Sequence, residues 1–270
     1  MKKSIIVLLF IVSASNYMYS QDDTDDLTKA AANPLADLIS LPIQNNLNMN
    51  YGPYSRNVNV TNIQPVIPLF KGKFITRTIL PIVSIPDFAQ ENDTQSKGLA
   101  DIVLTGFYVP ESKGLMWGFG PVIELPTGGE ERGSEKWSAG PSLVAISQHG
   151  DWTLGVLANN AWSFAGDSDR EDVNHMLLNV FLVKQLGKGW NVSSTPIITA
   201  DWNASKENRW IVPVGGGIGK LTMLGGKLPL NLSTQLYYNA VRPDFGPKWQ
   251  WRAQAQFLLP TSLFKGKKKS

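Results

Sequence analysis

The chain has 270 residues, no cysteine, two histidines, nine tryptophans and a formal net charge of +3. Without thiols there is no disulfide, no thiolate metal site, no cysteine nucleophile and no lipoprotein anchor. A charge this close to zero, with Lys2 and Lys3 supplying two of its positive members, leaves no footprint for nucleic acid.

The N-terminus reads as a secretory signal. Lys2 and Lys3 form its basic region, Ile5 to Val12 is an unbroken apolar run, and small residues follow at Ser13, Ala14, Ser15 and Ser20. Cleavage is expected just before Gln21, with a cut after Ser15 as the second choice. The run is too short to span a bilayer as a helix, and no longer apolar stretch follows. An acidic head of Asp22, Asp23, Asp25 and Asp26 comes next. Residues 27–41 then carry the one helical signal of the mature chain, with Ala30, Ala31 and Ala32 in its first half. Pro34 is read as the first residue of a second short helix. Such a helix would plug a barrel or rest on its periplasmic side.

From Asn46 the period changes to two. Asn46 to Tyr51 alternates polar with apolar, and so does Trp249 to Phe257. In the second segment Trp249, Trp251, Ala253, Ala255 and Phe257 share one face, and Gln250, Arg252, Gln254 and Gln256 share the other. A strand that is apolar on one side and polar on the other suits a wall between lipid and a wet lumen. The mean hydropathy of −0.12 fits the same picture, because each strand averages its two faces. About twelve such segments follow: 45–51, 58–68, 73–84, 99–109, 114–125, 135–147, 151–163, 172–185, 189–202, 209–221, 228–240 and 247–259. Most reach ten residues, longer than soluble strands and long enough for tilted membrane strands.

The connections alternate too. Residues 69–72, 110–113, 148–150, 186–188 and 222–227 read as short turns, periplasmic if both termini are. Residues 52–57, 85–98, 126–134, 165–171, 203–208 and 241–246 read as external loops. Trp137, Trp162, Trp202, Trp210 and Trp249 lie beside those loops. Trp117, Trp152 and Trp190 lie beside the turns. Two aromatic girdles at the membrane interfaces are expected from this spacing.

Five stretches carry a resemblance: Asn62 to Pro68, Lys136 to Ser142, Asn160 to Asp167, Ile198 to Trp202 and Val212 to Gly217. They resemble the outer-membrane barrels associated with phenol meta-cleavage pathways, a family often mislabelled as neuromedin U. The resemblance covers about Asn33 to Leu259 and implies a barrel and a transport role, with no particular solute. One departure is the end, where Phe264 is followed by Lys265 to Ser270 in place of the terminal aromatic residue that barrel assembly reads.

Candidate chemistry is sparse. Gly215 to Lys220 has the look of a phosphate-binding loop, but the spacing fails and Leu221 replaces the hydroxyl residue. A glycine-rich strand is the better reading. His175 is followed by Met176, Leu177, Leu178 and Asn179, so no serine shares its face nearby, as a barrel hydrolase would need. His149 beside Asp151 reads as a solvated turn. The loop Ala165 to Asp172 lacks the ligand spacing of an EF-hand. No metal or cofactor is expected. Asp101, Glu124, Lys136, Asp201 and Arg252 fall on the inward phase of their strands. With Arg77 and His175 they are the candidates for lining the lumen and contacting solute. Both signs are mixed among them, which disfavours a selective anion pore.

The expected fold is a closed antiparallel transmembrane β-barrel of about twelve strands with a short N-terminal helix. Its parts are a signal at 1–20, a head and helix at 21–45, the barrel at 46–260 and a basic tail at 261–270. The expected place is the bacterial outer membrane, with membrane lipid, the barrel-assembly machinery and a small solute as partners. The expected function is passive passage of small, aromatic or otherwise hydrophobic molecules. A structural or adhesive barrel acting through its loops is the alternative, and a barrel hydrolase is the weaker one.

Overall fold

The structure, a computed structural model, describes residues 21–88, 95–226 and 228–259. The signal segment, its cleavage site and the basic tail lie outside the described residues.

One helix, α1 (Gln21–Ala31), precedes fifteen strand segments: β1 (Ile39–Tyr51), β2 (Arg56–Ile63), β3 (Val66–Leu69), β4 (Phe74–Pro86), β5 (Gln95–Leu99), β6 (Ile102–Tyr108), β7 (Leu115–Leu125), β8 (Lys136–His149), β9 (Trp152–Gly166), β10 (Asn174–Gly187), β11 (Trp190–Ser194), β12 (Ile197–Asp201), β13 (Trp210–Leu224), β14 (Leu228–Val241) and β15 (Trp249–Leu259). Three pairs, β2–β3, β5–β6 and β11–β12, are single staves broken for two residues. The barrel therefore has twelve staves. Two breaks fall at Pro65 and Pro196, which have no N–H to give the ladder. Each stave pairs antiparallel with its neighbours, and β15 pairs with β1 from Leu259 opposite Ile39 to Trp249 opposite Met49. That seam closes the ring, so lipid meets no free strand edge.

All five expected turns are turns, at the end of the barrel called here the turn end. A two-residue turn joins β10 to β11 through Lys188 and Gly189, both at positive φ (53° and 75°), the conformation such a hairpin needs. At the opposite, loop end the 85–98 loop is shorter than expected. β4 runs on to Pro86 and β5 pairs back along it, which leaves 87–94 as the connection.

Alternation sets which side chains face out. On β15, Trp249 and Trp251 are exposed on the outer wall while Arg252, Gln256 and Leu258 are buried inside. On β9, Trp152, Leu154, Val156 and Trp162 face out while Thr153, Leu157 and Ala161 face in. The outer wall is an apolar belt that includes a polar patch between β1 and β2. There the Asn45 amide donates to Asn59 Oδ1 (2.8 Å) and Thr61 Oγ1 (2.8 Å), and the Asn59 amide donates back to Asn45 Oδ1 (3.2 Å). These groups satisfy one another where lipid offers no partner.

The N-terminal segment departs from expectation. α1 covers the backbone of the acidic head and ends at Ala31, and Pro34 terminates helix where it was read as starting one. Proline disfavours the α conformation of the residue before it. Asn33 instead makes a tight turn, its Oδ1 accepting the Leu35 N–H at 2.9 Å. Residues 39–44, read as outside the barrel, are the first half of β1. The segment enters the lumen at the turn end. Gln148 donates to the Lys29 carbonyl (3.0 Å) and Gln256 to the Ala31 carbonyl (3.2 Å). Leu35 is buried among Val66, Ile75, Phe107, Val144, Ile146 and Leu157, all inward-facing. The lumen is thus not polar throughout. Its turn end is an apolar core closed around a leucine.

Candidate functional site

Above that core the lumen holds a cavity of about 610 Å³, within the usual range for small-molecule sites. Its wall has two characters. Gln44, Gln64, Gln235, Gln254 and Gln256 line it from β1, the β2–β3 stave, β14 and β15, whereas Leu177, Phe181 and Ile197 line it from β10 and β12. The apolar side chains come from strands whose two faces are both hydrophobic, so the sequence alternation there gave no sign of a lumen.

Five of the seven charged candidates line this cavity: Arg77, Glu124, His175, Asp201 and Arg252. Asp101 does not. It sits in the break between β5 and β6, and its carboxylate accepts hydrogen bonds from the backbone N–H groups of Gly128 (2.9 Å) and Ser134 (2.6 Å) and from the Ser134 hydroxyl (2.8 Å). Its task is to hold the 126–135 loop. A Cβ on Gly133 would lie 2.3 Å from Asp101 Oδ1, so that loop needs glycine there. Lys136 also misses the cavity. Its ammonium lies 3.3 Å from Asp172 at the loop-end rim. Both residues have the inward phase, but at strand ends the phase reports the rim.

These candidates are sorted by height. Glu124 is the last residue but one of β7, Asp201 ends β12 and His175 is the second residue of β10, all at the loop end. Glu124 Oε1 is 2.8 Å from His175 Nε2, and His175 pairs across the ladder with Asp201. Arg252 reaches lower. Its Nη1 donates to the Thr195 carbonyl (2.8 Å) and hydroxyl (3.1 Å), and its Nε donates to Asn46 Oδ1 (3.0 Å). The guanidinium carbon lies 5.2 Å from the centre of the Tyr237 ring. Arg77, near the start of β4, is deeper still and donates to Gln64 Oε1. Among these candidates the two carboxylates lie at the mouth and the two arginines below it, while Arg209, which also lines the cavity, adds a cation at the loop end.

The carboxamides and Tyr237 were not singled out from sequence. Gln235 donates to the Ser193 hydroxyl (2.6 Å) and accepts from the Tyr237 (2.6 Å) and Thr195 (2.9 Å) hydroxyls. The even spacing of glutamine and asparagine in 44–48 and 250–256 was the available signal. In β13, Gly215, Gly216 and Gly217 face neighbouring backbone: a Cβ on Gly217 would meet the Thr234 carbonyl at 1.8 Å. Lys220 lies on the outer wall over the Trp190 ring (4.6 Å), away from any phosphate cradle.

The tryptophans form two rings. Trp117, Trp152 and Trp190 are exposed at the turn end, where Phe70, Phe74, Tyr108, Phe119 and Trp117 make a chain of aromatic contacts. Lys184 lies over Trp152 at 5.3 Å. Trp137, Trp162, Trp202 and Trp249 are exposed toward the loop end, with Trp210 half-buried and edge-on to Trp202.

At the rim, hydrogen bonding to Lys136 and then to Ser163 holds the Asp172 carboxyl below its ordinary range. A depressed carboxyl stabilises the fold above the unfolded value, about 4, and that contribution is lost as pH falls through the lower folded value. The chain has no cysteine, so a nitroxide placed by Asp169→Cys reports the loop cleanly. It should be immobile at pH 7 and mobilise below about pH 4. With Asp172→Asn added it should be mobile at both.

The profile of the family described as "Putative MetA-pathway of phenol degradation" matches residues 55–261. The chain belongs to that family. Among solved structures, it is similar to an outer membrane channel from Pseudomonas putida F1, with TM-score 0.57 and 13% identity over 83% of this chain and 95% of the other. It is also similar to the NanC porin, with TM-score 0.54 and 9% identity over 81% and 98%. At these identities the likeness is one of fold. No curated protein matches the chain.

Proposed function

We propose that the protein is an outer-membrane channel that lets small molecules pass through its lumen. One observation carries the reading: a cavity of about 610 Å³, walled by carboxamides on one part and by apolar side chains on another, lies inside a ring whose outer surface is an apolar belt. A wet interior enclosed by a lipid-compatible exterior is what a pore requires. Family membership and the two channel-like folds support it. The aromatic rings then mark the two membrane interfaces, with Lys184 and Lys220 reaching from the wall to the headgroups. The half-apolar wall favours solutes with a hydrophobic body over sugars. Purified protein refolded into liposomes should release small aromatic solutes faster than protein-free liposomes. Folded protein that passes neither solutes nor ions would overturn the reading.

A further inference from the structure

The positive charge of the lumen is unbalanced where it is deepest. Arg252 is 5% exposed, and its Nη2 has no hydrogen-bond partner among the described residues. Its other contacts are neutral: an asparagine, a threonine, a glutamine and the face of Tyr237. Arg77 has a single hydrogen bond among the described residues, to the neutral Gln64. A guanidinium has five donors. No carboxylate of the described residues pairs with either arginine, although both line the cavity. The carboxylates that do line it are at the mouth. Asp201 is six residues further along its stave than Thr195, to which Arg252 is bonded, which is about 20 Å of strand. A buried charge is ordinarily paired. Here the two inner cations line the same cavity as the apolar Leu177, Phe181 and Ile197.

We propose that this part of the lumen binds small organic anions, namely monocarboxylates with an apolar body. The carboxylate lies in the field of Arg252 and Arg77, and the body lies against Phe181 and its neighbours. Guanidinium presents a planar fork of donors that fits a carboxylate, so the group suits this ligand better than a lysine would. The carboxamides that now surround Arg252 hold it extended without neutralising it. The inference rests on the lumen being a solute path, and its test is chosen to separate the two.

The test is binding, which needs no flux. Full-length protein in lipid nanodiscs is titrated by calorimetry with benzoate and with benzamide, which share a shape and differ in charge. Benzoate should bind saturably and at least about tenfold more tightly than benzamide. Arg252→Gln should weaken benzoate by about tenfold and leave benzamide unchanged. Arg77→Gln, which leaves the contacts of Arg252 with Asn46 and Thr195 intact, serves the same purpose if the first variant does not fold. Equal binding of the two probes overturns the proposal. So does undiminished benzoate binding in folded Arg77→Gln, Arg252→Gln protein. Solute flux in liposomes without benzoate binding removes this site and leaves the channel. Benzoate binding without flux supports the site and removes the channel.

Discussion

Replacing Leu35 by aspartate is expected to raise the ion conductance of the barrel several-fold while leaving the barrel itself folded. Leu35 is enclosed by six inward side chains that carry no polar atom, Val144 and Ile146 among them. A carboxylate there would be buried without a partner, at a cost of several kcal/mol. What holds the segment in the lumen is modest by comparison. Two glutamine amides donate to α1 carbonyls, each worth on the order of 1 kcal/mol net. The segment should therefore leave the lumen before it accepts the charge. The ladder does not use Leu35, so the heat-modifiable electrophoretic mobility of the folded barrel should persist. Single-channel recording checks it, with Leu35→Met as the volume-conserving control. Equal conductance of the wild type and Leu35→Asp, both folded, would show that the segment does not limit passage.

The second large effect concerns the outer wall. Val156→Arg is expected to destabilise the barrel in lipid vesicles by about 2–4 kcal/mol. Val156 is outward-facing, pairs with Ala145 and Val180, and lies between Trp152 and Trp162 on the same strand. That position is close to the middle of the hydrocarbon, where a guanidinium finds neither water nor an acid. Lys184 provides the comparison. It is also outward, but it sits over Trp152 in the turn-end ring, where an ammonium reaches the headgroups. Lys184→Ala should change stability by less than about 1 kcal/mol. Denaturant titration of folding into vesicles reads both. A Val156→Arg protein as stable as the wild type would mean that this face does not meet lipid.

The staves were legible because most of them keep one periodicity from end to end. Trp249 to Phe257 announces both of its faces, and the turns are marked by residues such as Lys188–Gly189 that accept positive φ. The start of β1 was hidden. Residues 35–42 carry leucines and isoleucine in a spacing that also suits a helix, and only the asparagine–proline pair at 33–34 argues against one. The apolar plug was hidden for a related reason. Val144, Ile146 and Leu157 face inward and Leu143, Ala145 and Val156 face outward, so β8 and β9 read as apolar on both sides and their inner face left no trace. Among the charged candidates, phase alone found Glu124, Asp201 and Arg252. It placed Asp101 and Lys136 wrongly because phase reports side and not height. Their true surroundings come from loops that fold back on the rim, which depend on contacts more than thirty residues apart in sequence, such as Asp101 with Ser134.

The seam between β15 and β1 has a bearing on how the molecule comes into being. Eleven residue pairs and the Arg252–Asn46 bond stitch the final stave to the opening one, across a separation of 206 positions. A nascent chain stopped short of Trp249 would yield no smaller ring. It would be a curved ribbon with two raw borders, each offering unmet amides to hydrocarbon. The ring can therefore close only once the final stave, through Leu259, is available to pair with the first.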